Sequence, residues 1–410
     1  AGLAMVIATA LLITKHDVFP GFNALWPTLG TAMVIYAGLH QPQTFSARLL
    51  SLPVMVFLGG ISYSLYLWHW PPVALMHYQL VELTAWNRIA LMAGVVVVSW
   101  LSYKLVENRF RHRPWSLKKS FWILVFIPLM GIWAIQSTIR IADDLSFRIP
   151  EERRELYKII ANNNPADMYK RCFKGDPVDF NTGKACLFGA EPANGQPNSM
   201  LIGDSHGIAQ IGFVEQLIDG KGYSLLMVTR ASTPFLPPAV AEKAQAADPT
   251  QVARNKALSE YLQQRPMTVF LGAWWNAYLK FEPFQAYFME TLDWLEKQGH
   301  TIIVLEDVPE LPSSSYAECL LKNMKDCSVD AAEVEEKLAN FYRFKQAARQ
   351  KYPDIIWTNP RQVLCDKERC QTVLNGIPLY RDESHLNNVG AIEIGKEYLK
   401  RFENPLPSLR

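Results

Sequence analysis

Five apolar stretches, 1–14, 22–40, 53–81, 88–106 and 120–140, crowd the first 140 residues. Each is long enough to cross or nearly cross a bilayer as a helix, which takes about 20 predominantly apolar residues. Such a chain divides into a membrane half and a water-soluble half. Everything after about residue 145 mixes charged and apolar residues, so averages over the 410 residues (49% hydrophobic, net charge +2) describe neither half. The first stretch is too short to span alone and the sequence opens on Ala1, so a fragment lacking earlier segments is expected, with no signal peptide at residue 1. Within the third, Gly59-Gly60 allows a break or re-entrant piece before Ile61.

Loop charge sets the orientation. The connection ENRFRHRPWSLKK holds Arg109, Arg111, Arg113, Lys118 and Lys119, a cluster that marks the cytoplasmic side. Residues 41–49, with Arg48, then share that side, while 15–21 and 82–87 lie outside. The stretch 120–140 leaves the cytoplasm, so the chain from about 141 onward is expected on the far side of the membrane.

The cysteines bear on this independently. Cys172, Cys186, Cys319, Cys327, Cys365 and Cys370 all fall in the soluble half. Six cysteines allow 15 pairings, but these form three close pairs along the chain, and local bridges Cys172–Cys186, Cys319–Cys327 and Cys365–Cys370 are the simplest arrangement. The alternative, free or metal-binding thiols, is weakened because no C-x-x-C occurs and no metal-ligand cluster is visible. Disulfides persist in oxidising compartments, which agrees with the charge reading.

Past a polar connector with a predicted helix from Pro150 toward Ala161, short apolar runs alternate with amphipathic segments. Predicted strands are 199–203, 223–228, 267–273, 300–305 and 354–358; predicted helices are 206–219, 250–264, 283–298, 330–351 and 388–402. Residues 234–250 read as a loop. Alternation of this kind favours a parallel sheet with helices on both faces. Ligands of such sheets bind outside the carboxyl ends of the strands, which singles out Gly203 to His206, Arg230 to Thr233, Gly272 to Asn276, Asp307 and the loop RDESHLN at 381–387.

A serine hydroxyl needs a neighbouring base to become a nucleophile. Ser205, in SMLIGDSH, sits where a strand gives way to a helix, beside backbone N–H groups able to hold an oxyanion. The same position suits a helix N-cap, for which serine is a favoured residue. Asp382 stands three residues before His385, a spacing that lets a carboxylate hold an imidazole while the other ring nitrogen faces a serine; the commoner meaning of a lone D-x-x-H is a helix-initiating turn. Trp274 and Trp275 could offer a flat face to a sugar ring or simply be core. Arg230, Arg381 and His206 could touch substrate or be solvated surface.

The order of these blocks resembles the SGNH hydrolase and transferase superfamily. Ser205 and Gly203 match its first block; Asp382, His385 and Leu386 match its last. The resemblance implies Ser205 as nucleophile, His385 as general base and Asp382 as the residue orienting it, with Gly203 and Asn276 at the oxyanion site. Here the asparagine block reads Gly272-Ala273-Trp274-Trp275-Asn276, longer than the family's G-x-N, and the second-block glycine has no counterpart in TRASTP, where an N–H of Ala231, Ser232 or Thr233 could replace it.

In the membrane half, LGGISYSLYLWHWPP (58–72) and SYKLVENRFR (102–111) resemble signatures of the acyltransferase family 3 membrane proteins. Some members carry one further helix and a fused SGNH domain, as in bacterial O-acetyltransferases of surface polysaccharides such as the lipopolysaccharide O-antigen. The resemblance implies an α-helical membrane segment followed by an α/β, three-layer, flavodoxin-like SGNH domain. Its parts would be the carboxyl-terminal portion of the acyltransferase region (1–119), an additional transmembrane helix (120–140), a periplasmic linking region (141–195) and the SGNH domain (196–410).

It further implies a multi-pass protein of the bacterial inner membrane with a periplasmic domain, no bound cofactor or metal, and acetyl-CoA as acyl donor to the full-length protein. The acceptor would be a surface glycan or lipid-linked oligosaccharide; no nucleic-acid partner is expected. His69 would either lie on the acyl path or pack in an interfacial aromatic belt beside Trp68 and Trp70. Because the early-helix arginine and histidine positions of the family are not in the sequence, this chain alone is not expected to complete transfer from the cytoplasm. Two other readings keep parts of this picture: an acetyl-esterase using the same triad, and a non-catalytic glycan-binding module serving the membrane half.

Overall fold

The computed structural model describes residues 1–14, 21–41, 43–79, 81, 84–111, 113–142, 150–161, 186–244, 249–322 and 324–409. Two compact units divide at Trp133 and Ala134.

The first unit is helical. Gly2–Leu12 and Leu25–His40 lie backbone to backbone: a Cβ on Gly2 would fall 2.6 Å from the Gly30 carbonyl oxygen, so only glycine permits this approach. Pro53–Tyr78 is one helix through Gly59 and Gly60, which corrects the expected break. Among the described residues nothing comes within 4 Å of a Cβ built on either glycine, so none of them forces the chain out of its own hydrogen-bond ladder. Two described helices, Ala85–Arg111 and Leu117–Ile141, are long and apolar enough to cross a membrane. Ser64, buried in the Pro53–Tyr78 helix, donates to Glu107 (3.3 Å), which also pairs with Arg111 (3.4 Å). Most large apolar side chains of this unit are exposed.

The second unit is an α/β domain on a mostly parallel sheet. Its strands are β1 Leu187–Gly189, β2 Ser199–Gly203, β3 Ser224–Thr229, β4 Thr268–Gly272, β5 Thr301–Leu305 and β7 Ile356–Thr358, in the order β1-β3-β2-β4-β5-β7. β6 Ser328–Asp330 and β8 Arg369–Gln371 form a separate antiparallel pair. β2, β3 and β4 are buried along their whole length, which is why each reads as a continuous apolar run. The antiparallel edge strand β1 was not predicted; three residues carry no period.

From β2 the chain moves one way to β3 and then the other way to β4, β5 and β7. Right-handed crossovers therefore place helices on opposite faces, and the reversal leaves a crevice at the carboxyl end of β2. Ile211–Ile218 packs against Asn388–Arg401, with Gly212 and Gly395 permitting close approach. Elsewhere Glu282–Lys297 meets Ala339–Lys351 through stacked Phe288 and Phe344, centroids 4.8 Å apart.

Two predicted helices prove to be broken. The 206–219 helix divides at Gln210 into Ser205–Ala209 and Ile211–Ile218, and the 330–351 helix at Leu338 into Ala331–Lys337 and Ala339–Lys351. The loop predicted at 234–250 contains a helix, Pro238–Lys243, which starts on a proline and buries Val240 and Ala241 with Leu236. Disulfides join Cys319 to Cys327 and Cys365 to Cys370. Cys172, and with it the pairing expected for Cys186, lies outside the described residues.

Candidate active site

The site begins where β2 stops. Gly203 pairs with Gly272 of β4 so closely that a Cβ at 203 would stand 1.6 Å from the Gly272 carbonyl oxygen, and one at Gly207 would stand 2.6 Å from it. Two strand-end glycines thus let the next helix sit directly on β4. Asp204 caps that helix: its Oδ1 accepts the His206 N–H (2.7 Å), and its Oδ2 accepts the Trp274 N–H and the Tyr278 hydroxyl (3.0 Å each). Ser205 is therefore the first helical residue and not the cap. It is the partly exposed member of an otherwise buried stretch from Leu201 to Gln210.

Ser205 Oγ lies 2.8 Å from His385 Nε2, and His385 Nδ1 lies 3.0 Å from both carboxylate oxygens of Asp382. The three residues thus form one hydrogen-bonded line. The D-x-x-H turn is held from within, because Asp382 Oδ1 also accepts the N–H groups of Ser384 (2.9 Å) and His385 (2.8 Å). Asn387 then caps the Asn388–Arg401 helix through the Gly390 N–H and donates to the Pro378 carbonyl, anchoring the loop to the domain. Burial alone would raise the Asp382 pKa, but hydrogen bonds from the His385 ring and from the Ser384 and His385 N–H groups outweigh it and hold the carboxyl well below the usual range. Arg381 Nε lies 3.4 Å from the same carboxylate.

Behind Ser205 is an acidic layer, with Asp204 and Asp307 buried and Glu310 half-buried, that the sequence reading did not assign a role. Asp307 accepts the N–H groups of Trp275 (3.2 Å) and Asn276 (2.6 Å), while Glu310 accepts the Trp274 indole N–H (2.6 Å) and the Asn276 side-chain amide (2.8 Å). Burial pushes the Asp307 pKa well up; its two N–H bonds oppose this, and the neighbouring Asp204 and Glu310 charges add to it. Asp204 is raised by burial too, despite its three donors. Of these, Asp307 was visible as a strand-end residue; nothing local marks Glu310 or Tyr278. Arg254 was also missed, and its buried guanidinium donates to the Val228 (2.7 Å) and Gly203 (3.4 Å) carbonyls, tying together the ends of β3 and β2.

Asn276 is completely buried, with one amide hydrogen committed to Glu310; no hydrogen bond joins it to Ser205. Trp275 cannot offer a face to a sugar: it is 2% exposed, stacked on Phe288 at 4.2 Å, and its indole donates to the Leu305 carbonyl. That platform is withdrawn, because the residue points into the core. Trp274 is half-buried and stacks on His206. His206 is 4% exposed, which rules it out as solvated surface. The Arg230 N–H donates to the Gly203 carbonyl (3.0 Å), and the Thr233 N–H is taken by the Arg230 carbonyl (3.2 Å). Between them Ser232 adopts φ +51°, the left-handed conformation usually left to glycine. In the helical unit, exposed His69 hydrogen-bonds to the Tyr66 carbonyl of its own helix (2.6 Å). Among the described residues no cluster of side chains is arranged to hold a metal ion.

Comparison with known proteins places both halves. A Staphylococcus aureus (strain COL) protein named as a putative O-acetyltransferase is 32% identical over 111 residues, 27% of this chain and 18% of its own length. O-acetyltransferase OatA of Staphylococcus aureus (strain NCTC 8325 / PS 47) is 27% identical over 133 residues, 31% of this chain and 21% of its own. The chain thus spans about a fifth of the length of these curated relatives. The solved periplasmic domain of a Salmonella ser. Paratyphi A lipopolysaccharide acetyltransferase aligns with 58% of this chain and 97% of its own, at 16% identity and a TM-score of 0.40. Residues 1–104 match the family described as an acyltransferase domain. Residues 171–400, more than half of the sequence, match the SGNH domain that is fused to AT3 domains, and the chain belongs to that family.

Proposed function

We propose that this chain belongs to a membrane O-acetyltransferase that esterifies sugar hydroxyls of a bacterial surface polysaccharide, with Ser205 as the residue that carries the acetyl group. The observation behind this reading is the unbroken hydrogen-bonded line from Asp382 through His385 to Ser205. In the first half-reaction His385 Nε2 takes the Ser205 proton as Oγ attacks the acyl carbonyl. The resulting imidazolium then protonates the leaving group, and an acetyl-serine ester remains. In the second, His385 takes the proton of a sugar hydroxyl, the alkoxide attacks the ester, and Ser205 regains its proton as the acetylated sugar departs.

Asp382, held ionised, keeps Nδ1 protonated and offsets the charge on the imidazolium. The Ser205 N–H at the start of its helix, an N–H of the Ala231–Ser232 turn and the second amide hydrogen of Asn276 are the donors we assign to the oxyanion. The acyltransferase match at 1–104 supports acetyl-CoA as the ultimate donor and the apolar helices a multi-pass membrane location. The two disulfides support a periplasmic setting for the second unit. A lipopolysaccharide O-antigen or its lipid-linked precursor is the acceptor we favour.

The test is polysaccharide acetylation in cells carrying the full-length protein as wild type or Ser205→Ala, at matched abundance. Loss of acetylation in the variant is expected; unchanged acetylation would overturn the acetyl-serine step.

A further inference from the structure

The line from Asp382 to Ser205 holds the His385 ring through its two nitrogens. Those bonds resist sliding within the ring plane, but a tilt of the ring through small changes about its Cα–Cβ and Cβ–Cγ bonds carries the Nε2 lone pair out of line with Ser205. A neighbour against the ring face opposes that tilt. That neighbour is His206, whose ring centroid is 4.3 Å from that of His385 with the planes 37° apart.

His206 is itself backed by Trp274, centroid 4.9 Å away and nearly parallel at 18°. Trp274 is in turn pinned at its indole by Glu310 and at its main chain by Asp204. Three rings thus run from a fixed wall to the imidazole, Trp274 and His206 stacked and His385 tilted against His206. His206 is 4% exposed, and its Nε2 has no hydrogen-bond partner among the described residues. A buried bare nitrogen destabilises the fold, so that atom is not what holds the ring in place. What His206 offers its neighbour is a face.

We propose that His206 is a positioning residue for His385, its ring wedged between Trp274 and the imidazole so that Nε2 stays aligned with Ser205 Oγ. The proposal rests on the assignment of Ser205 and His385 as nucleophile and base. The electrostatics are compatible with it. Burial first, and then the proximity of His385, push the His206 pKa well down; Asp382 opposes this and Arg381 adds to it. A neutral ring can lie against an imidazolium, where a second cation would oppose the proton transfer.

The experiment compares wild type, His206→Ala, His206→Phe and Ser205→Ala, each as the full chain in membranes. It reads the rate of Ser205 labelling by a fluorophosphonate and the turnover of an activated acetyl ester. Phe and Ala both delete the unpartnered nitrogen, so the difference between them reports the ring. His206→Ala is expected to slow labelling and kcat by about 10- to 100-fold, the scale of a misaligned catalytic group, with KM little changed. His206→Phe should stay within a few-fold of wild type. Should the alanine variant fail to fold, His206→Leu, which fills the space without a flat face, replaces it with the same expectation.

Wild-type rates in His206→Ala, or equal slowing in folded Ala and Phe variants, overturn the positioning role while leaving the triad intact. Absence of Ser205-dependent labelling in wild type removes the triad reading and this inference with it.

Discussion

His385 Nε2 lies 2.8 Å from Ser205 Oγ although the two residues are 180 positions apart. The loop bearing His385 and the helix bearing Ser205 reach each other only because both stand at the carboxyl edge of one sheet. A helix cap would have no use for this contact, and Asp204 already fills that position. Removing either partner should therefore act on chemistry and not on folding. Ser205→Ala and His385→Ala are expected to lower acetyl-ester turnover by at least about 10³-fold, and Asp382→Asn by about 10⁴-fold through loss of the correct tautomer. Steady-state kinetics with unfolding midpoints measured alongside checks this; variants that retain turnover, or that lose it only by unfolding, contradict it.

The two adjacent tryptophans should part company under mutation. Trp275 is core, stacked on Phe288 and hydrogen-bonded to Leu305, so Trp275→Ala should cost about 3–5 kcal/mol of stability. Trp274 is half-buried and backs His206, so Trp274→Ala should cost less stability but reduce turnover. Denaturant unfolding beside acetyl-ester kinetics separates them, and similar behaviour of the two variants would count against the division.

That division shows where the sequence stops speaking. Strands β2 to β5 announce themselves because burial on both sides selects unbroken apolar runs such as Met200-Leu201-Ile202, and D-x-x-H carries its own turn chemistry within four residues. Trp274 and Trp275 look alike in sequence; only the bend after Gly272 turns one toward the crevice and the other inward. Glu310 and Tyr278 acquire roles from the adjacency of β4 to β2 and β5, a fact of topology that no local pattern encodes. The breaks at Gln210 and Leu338 escape notice because the amphipathic pattern runs through both.

Asp307 gives a pH dependence with a definite sign. Its folded pKa lies well above the unfolded value, about 3.9 for an aspartate. The unfolded chain therefore gives up its proton first as pH rises. The stability Asp307 contributes is complete below that value and is lost as pH climbs through the folded one. Asp307→Asn stays neutral throughout. The stability of wild type relative to this variant should be greatest below the unfolded value and shrink as pH rises above it. Thermal unfolding of both proteins across that range is the measurement; a gap that is constant or widens with pH contradicts the assignment.

The two described disulfides bracket the β6–β8 pair: Cys327 precedes Ser328, and Cys370 lies within β8 opposite Val329. They close loops with sequence separations of only 8 and 5 residues. Chain-entropy reasoning for loops this short gives about 2–2.5 kcal/mol each, acting mainly on the unfolded state. From β8 the chain runs through Thr372, whose N–H and hydroxyl both donate to the Cys327 carbonyl, toward Leu379 and the Asp382 turn. Removing the Cys319–Cys327 bridge as the double serine variant should therefore lower the unfolding midpoint of the second unit by about 4–8 °C, while the hydrogen bonds to Thr372 preserve the approach to Asp382 and keep turnover near wild type at 25 °C. Paired thermal scans and kinetics decide the matter. A turnover loss without a midpoint shift would mean that the bridge sets the geometry of the Asp382 turn and not the entropy of the unfolded chain.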